Sequence, residues 1–174
     1  MRMLIVVSAS TALLLAGIPG AIAQEKPSDP QIAHIAYTAG TIDIEAAKLA
    51  LSKSSNQLVK DFAQSMLDDH QAVNEQALEL VEKLGVTPED NSTSQSLASA
   101  AKTTRDELDD LEGNAFDRAY IENEVSFHAQ VNEALEQLLI PSIQNDELKS
   151  LLETGLKLFQ GHQQHAEHVA AELQ

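Results

Sequence analysis

The stretch VKDFAQSMLDDHQAVNEQALELVEKL, residues 59–84, decides the fold. Val59, Ala63, Met66, His70, Val73, Ala77, Leu80 and Leu84 follow one another at alternating steps of four and three, which lines one face of a helix and is the seam of a helix that packs in a bundle. Gly85 follows as a natural C-terminal residue, and Pro88 prevents the helix from continuing. One position of the seam is a histidine, so the helix carries a polar group onto the face it should bury.

The rest of the chain reads as more helices of the same kind. Its 174 residues are 43% hydrophobic but only 3% aromatic, without tryptophan or cysteine, a mix that favours helix over strand and excludes disulfide-stapled and collagen-like chains. Ser28-Asp29-Pro30 is a helix start, and helix A then runs to about Lys53 with Ile35, Thr38, Ile42, Glu45 and Leu49 as its expected seam. Ser54 to Asn56 separate it from helix B, the quoted stretch. Residues 86–96 are polar and loop-like, and Gln95 to Leu111 forms a weaker, short extra helix. Helix C is expected over Ala115 to Leu139, ending near Pro141, with Ile121, Glu124, His128, Val131, Leu135 and Leu138 inward. Asn145 caps helix D, whose seam reads Leu148, Leu151, Gly155, Leu158, His162, His165 and Val169. Short A–B and C–D connections make two antiparallel hairpins, and the long B–C segment permits a crossover. The fold class is therefore all-α: a ferritin-like four-helix bundle with a long B–C crossover carrying a short extra helix.

The first residues give an address. Arg2 precedes an apolar run from Met3 to Gly17, and Ala21-Ile22-Ala23 is the small-x-small pattern of a signal-peptidase site. The expectation is a signal peptide over residues 1–23 and a single ferritin-like domain over 24–174, periplasmic or secreted, with no transmembrane span after cleavage. The mature chain would hold 10 basic and 27 acidic side chains. That sign repels phosphate backbones and anionic lipid, so no nucleic-acid partner is expected.

FAQSMLDDHQAVN (Phe62 to Asn74), GNAFDRAYIENEVSFH (Gly113 to His128) and LFQGHQQHAEH (Leu158 to His168), in this order behind a signal peptide and the Glu45 helix, resemble the bacterial domain-of-unknown-function family 4142. The resemblance covers nearly all of the mature chain. It implies a ferritin-like four-helix domain, export, and association with the outer membrane, and it implies no reaction.

Polar residues on all four seams suggest chemistry. Imidazole and carboxylate are ligands for Zn, Cu, Fe or Mn, and bundles build such sites from inward groups on separate helices. Glu45, His70, His128 and His162 supply one candidate ligand from each helix, with Glu124 and His165 in a second tier. At 1.5 Å per residue the heights agree to within about 7.5 Å in the first hairpin and about 9 Å in the second, and a C–D turn centred nearer Asn145 levels the latter. The paired Glu-x-x-His motif of di-iron bundles is absent: Leu67 and Val125 stand three residues before His70 and His128. A two-iron oxidase is thus disfavoured, while a single histidine-rich transition-metal site remains. The competing reading is a cofactor-free structural or interaction protein of the bacterial cell envelope, with an envelope protein as partner and the seam histidines bonded to Asp117, Tyr120 or Glu124. Asp68 and Asp69 read as a solvated face, with one of them able to orient His70. The Tyr120 hydroxyl is expected to bond at the bundle rim. No catalytic triad, phosphate loop or His-Glu-x-x-His motif is present.

Overall fold

Ser28 caps the first helix as its residue type dictates: its side chain accepts from the Gln31 amide, and the Gln31 side chain accepts in return from the Ser28 amide. From there the computed structural model, which describes residues 26–173, is helical throughout, with no strand among the described residues. The expected signal peptide lies outside the described residues.

Helix α1 spans Asp29–Lys53 and α2 spans Gln57–Leu84. Gly85 ends α2 in the left-handed conformation (φ 64°), with Gly85 N–H on Glu82 O and Val86 N–H on Val81 O. The crossover helix α3 (Ser92–Asp109) begins three residues earlier than its composition suggests, because Asn91 accepts from both Thr93 and Ser94 and forms its own capping box. Helix α4 covers Gly113–Ala134 and does not stop before Pro141. A π-helical turn, Leu135–Leu139, and a short α-helical segment, Ile140–Ser142, carry it through the proline. Proline offers no N–H and its ring crowds the carbonyl four residues back, and a widened turn accommodates both. Helix α5 spans Asp146–Glu172, capped by Asn145 Oδ1 on the amides of Glu147 and Leu148.

Contacts at the two ends set the topology. The Asp29 carboxylate accepts from the Gln144 and Asn145 amides at 2.9 and 2.8 Å, and Glu89 N–H reaches Pro30 O, so the start of α1 meets the end of α2 and the α4–α5 turn. At the opposite end Lys53 Nζ donates to Asp109 O and Glu112 Oε1. Helix α3 therefore runs the full length of the bundle back beside α1, and α4 starts where α1 ends. The packed ring is α1, α2, α5, α4, with α3 outside on α1 and α4, the ferritin-like arrangement of two antiparallel hairpins joined by a long crossover.

The core is split along the bundle axis. Ala47, Val59, Phe62, Met66, Phe116 and Ile121 belong to an apolar cluster in one half, and Ile32, Leu135, Leu139, Leu148 and Leu152 to another in the opposite half. Asp43, His70, Glu124, His128 and His162, all buried, lie between the two. No described helix is long and apolar enough to cross a membrane.

Close approach of α1 and α2 depends on Gly40. A Cβ there would stand 2.3 Å from Asn74 Oδ1, whose amide group donates to Tyr37 O and Thr41 Oγ1 at 3.4 Å each. Gly40→Ala is expected to cost about 1–3 kcal/mol in urea unfolding. In an Asn74→Ala background the clash is gone, so the helix preference for alanine should make the same change stabilising. Equal costs in the two backgrounds would show that Asn74 does not set this spacing.

Candidate metal centre

Four helices deliver polar groups to one layer because their inward rows register there. On α1 the buried row is Ile32, Ile35, Ala39, Asp43, Ala46 and Ala50, so the acid that enters the core is Asp43. Glu45 is a correction to the sequence reading: its side chain is 47% exposed and pairs with Arg105 of α3. Helix α1 is covered on two sides, by the bundle and by α3, and the larger side chains Ile42 and Leu49 belong to the row that flanks the bundle interior. On α5 the row passes through Leu152, Phe159 and Ala166 in place of Leu151, Leu158 and His165. His165 is exposed and packs edge-to-face with Phe62, ring centroids 5.1 Å apart. Leu138 is likewise exposed, displaced by the π turn, and Leu139 takes the core position.

The structure brings His70, His128 and His162 together. Their ring centroids form a near-equilateral triangle with sides of 5.7, 5.2 and 5.4 Å, and one nitrogen of each lies within 4.8 Å of the others. Phe159 stacks on His70 with centroids 4.9 Å apart and planes 9° from parallel, which holds that ring in place.

Hydrogen bonds fix two tautomers. His128 Nδ1–H donates to the Glu124 carbonyl at 3.0 Å, and His162 Nε2–H donates to Asp69 Oδ2 at 2.9 Å. In a neutral ring the other nitrogen is then a bare lone pair, and both His128 Nε2 and His162 Nδ1 are buried without a partner. His70 has no hydrogen bond at either nitrogen, with Nε2 3.4 Å from Asp43 Oδ2. Asp69, read from sequence as a candidate to orient His70, orients His162. This is the outer support that fixes a ligating imidazole.

Beside the triangle stand two carboxyl groups. Asp43, Glu124 and His128 offer oxygen and nitrogen atoms within 4.8 Å of one another, all buried. Burial raises the Asp43 carboxyl well above its usual range, and the Glu124 charge raises it further. Burial also pushes Glu124 up to about 8. Two carboxylates this close in a dry interior do not both ionise cheaply, so the pair holds a proton near neutral pH. Burial lowers all three imidazoles, reinforced at His70 by His128 and His162; His128 falls to about 4, while Asp69 partly offsets the effect at His162. The three rings are therefore neutral at pH 7, the state that binds a metal ion.

The polar layer continues along α4. Asp117, Tyr120, Glu124, His128 and Asn132 are all buried, at steps of three and four, and each has an atom without a hydrogen-bond partner. Tyr120 lies inside, between Phe62 and Phe116, with its hydroxyl unbonded instead of at the rim. His34 stands apart, 3.9 Å from Asp90.

Each unsatisfied buried polar group costs about 1–3 kcal/mol, and three of the imidazoles that carry such atoms share one layer. A transition-metal ion takes lone pairs of this kind at about 2.0–2.1 Å. Three neutral imidazoles in a triangle, each buried and two held by second hydrogen bonds, fit such an ion.

By architecture the protein is a crossover-connected helical bundle, with three imidazoles and an acid pair in one buried layer. The chain belongs to the family described as domain of unknown function DUF4142, whose pattern matches residues 18–169. Among solved structures it is similar to a Streptomyces coelicolor protein, DUF305, described as secreted: the two share 9% identity with a TM-score of 0.70 over 82% of this chain and 91% of the other. At that identity the likeness shows the fold. No curated protein matches the chain.

The carboxyl pair yields a pH test. Glu124 binds its proton more tightly folded (about 8) than at its ordinary value of 4.5, so its stabilising contribution is complete below pH 4.5 and is lost as pH rises through 8. In chelator-treated protein, Glu124→Gln should therefore gain stability over the parent as pH rises from 5 to 8, by up to about 1.4 kcal/mol for each pH unit in urea unfolding. A pH-independent difference would mean that Glu124 ionises normally in the fold.

Proposed function

We propose that the protein is an exported metal-binding bundle in which His70, His128 and His162 hold one transition-metal ion, Zn, Cu, Fe or Mn. The observation that carries this reading is the set of unpartnered ring nitrogens: three neutral imidazoles from three helices stand within reach of one another with lone pairs that no protein group satisfies. Ions held by imidazole rank Mn below Fe below Zn below Cu in intrinsic affinity, so availability in the compartment selects the ion. A divalent ion held by three histidines supplies Lewis acidity. The chain's own contribution beside it is a proton shared between Asp43 and Glu124 and an apolar cluster on either side. Glu45, paired with Arg105, and the exposed His165 lie outside the proposed centre.

Export rests on Arg2, the apolar run and Ala21-Ile22-Ala23. Expressed as the full chain in a bacterial host, the periplasmic protein should begin at Gln24. After chelation and back-titration at pH 7 it should take up one equivalent of Zn²⁺ or Cu²⁺. His70→Gln, His128→Gln and His162→Gln should each lower that affinity by at least tenfold with the helical circular dichroism retained, while Glu45→Gln and His165→Gln bind as the parent does. Absence of stoichiometric uptake, or uptake indifferent to the three buried histidines, would return the chain to the reading of a cofactor-free scaffold.

A further inference from the structure

Directly against the histidine layer the bundle holds a cavity of about 260 Å³. Its walls are hydrocarbon, with Val73, Val131, Leu135 and Leu139 among them, and its volume comes from small residues facing inward, Ala77, Ala134 and Gly155. No lysine or arginine lines it. Its floor is the functional layer: Asp43, His70 and His128. Thr93 and Leu97 of the crossover helix and Gln130 of α4 form its edge, of which Thr93 and Gln130 are exposed, so the way in runs beneath α3.

A dry apolar cavity of roughly 150 Å³ is enough to take up benzene, and this one is larger. Its polar end restricts the head group. Asp43 Oδ1 is buried without a partner, and His128 Nε2 is a bare lone pair because Nδ1–H is committed to the Glu124 carbonyl. Both call for a hydrogen-bond donor or a cation. A carboxylate head has no proton to give Asp43 Oδ1 and would leave that buried atom unpartnered beside a second negative oxygen. An ammonium head would be repelled by the ion.

We propose that the cavity binds a small, neutral, largely hydrocarbon molecule whose one hydroxyl group reaches the floor at Asp43, His70 and His128: an aliphatic alcohol or a phenol. The head-group assignment rests on the metal reading above, since a hydroxyl offers a lone pair to the ion and its proton to Asp43. The hydrocarbon part rests on the walls alone.

The test uses the mature protein, loaded with Zn²⁺ and in parallel chelated, with methyl-labelled Val, Leu and Ile observed by NMR during titration with 1-octanol, octanoate and octylamine. The expected result is saturable binding of 1-octanol to the loaded protein, with shifts at Val73, Val131 and Leu135, and at least tenfold weaker binding of the other two. Ala134→Leu and, on a different helix, Ala77→Leu fill the space and should weaken 1-octanol binding at least tenfold while zinc stoichiometry stays unchanged. Full zinc uptake without saturable 1-octanol binding overturns the cavity proposal and leaves the metal centre standing. Binding of octanoate or octylamine as tight as that of 1-octanol overturns the head-group assignment. Saturable 1-octanol binding in a protein that takes up no zinc supports the cavity and removes the metal reading.

Discussion

The structure turns on the cost of placing polar groups in a dry helical interior. Three imidazoles and two carboxyl groups occupy a layer between two apolar clusters, where a lone charge is prohibitive and a lone hydrogen-bonding atom costs on the order of a kilocalorie or more. The chain meets that constraint by neutrality: the rings carry no proton charge, and the carboxyls retain a proton between them. Two rings are further tied by one nitrogen to Glu124 O and Asp69. What remains is lone-pair density at one place, and the metal-binding reading follows from it.

The same layer organises what surrounds it. One side is packed tightly by Phe62, Met66, Phe116 and Tyr120, all fully buried. The other side opens into the apolar cavity of about 260 Å³. The π turn at Leu135–Leu139 borders this cavity, and such turns are frequent at functional sites. An irregular helix, small inward residues and a lone-pair cluster thus meet at one end of the core.

Much of this was legible in the residues. The four-three alternation of α2 put His70 inward, the seam of α4 carried Glu124 and His128 together, and Asn145 and Gly85 marked helix ends by capping chemistry. Levelling His128 with His162 by a turn near Asn145 agrees with the observed turn, residues 143–145. On α1 the buried row lies one position beyond the expected seam from Ala39 onward, because periodicity assumes one buried face. Where α3 covers a second face, Ile42 and Leu49 look like a bundle seam and draw the eye to Glu45. The steps from Ile32 through Ile35 and Ala39 lead to Asp43, and the small residues Ala46 and Ala50 on that row were the available signal. The cavity was not legible, since it arises where four helices jointly present small side chains at one height.

The central claim is that three imidazoles supply the coordination sphere. X-ray absorption at the metal edge of the Zn- or Cu-loaded protein measures it directly. The account predicts a first shell dominated by nitrogen at about 2.0 Å, with the multiple-scattering pattern of three imidazole rings. A shell of oxygen alone, or the signature of a single ring, would contradict it.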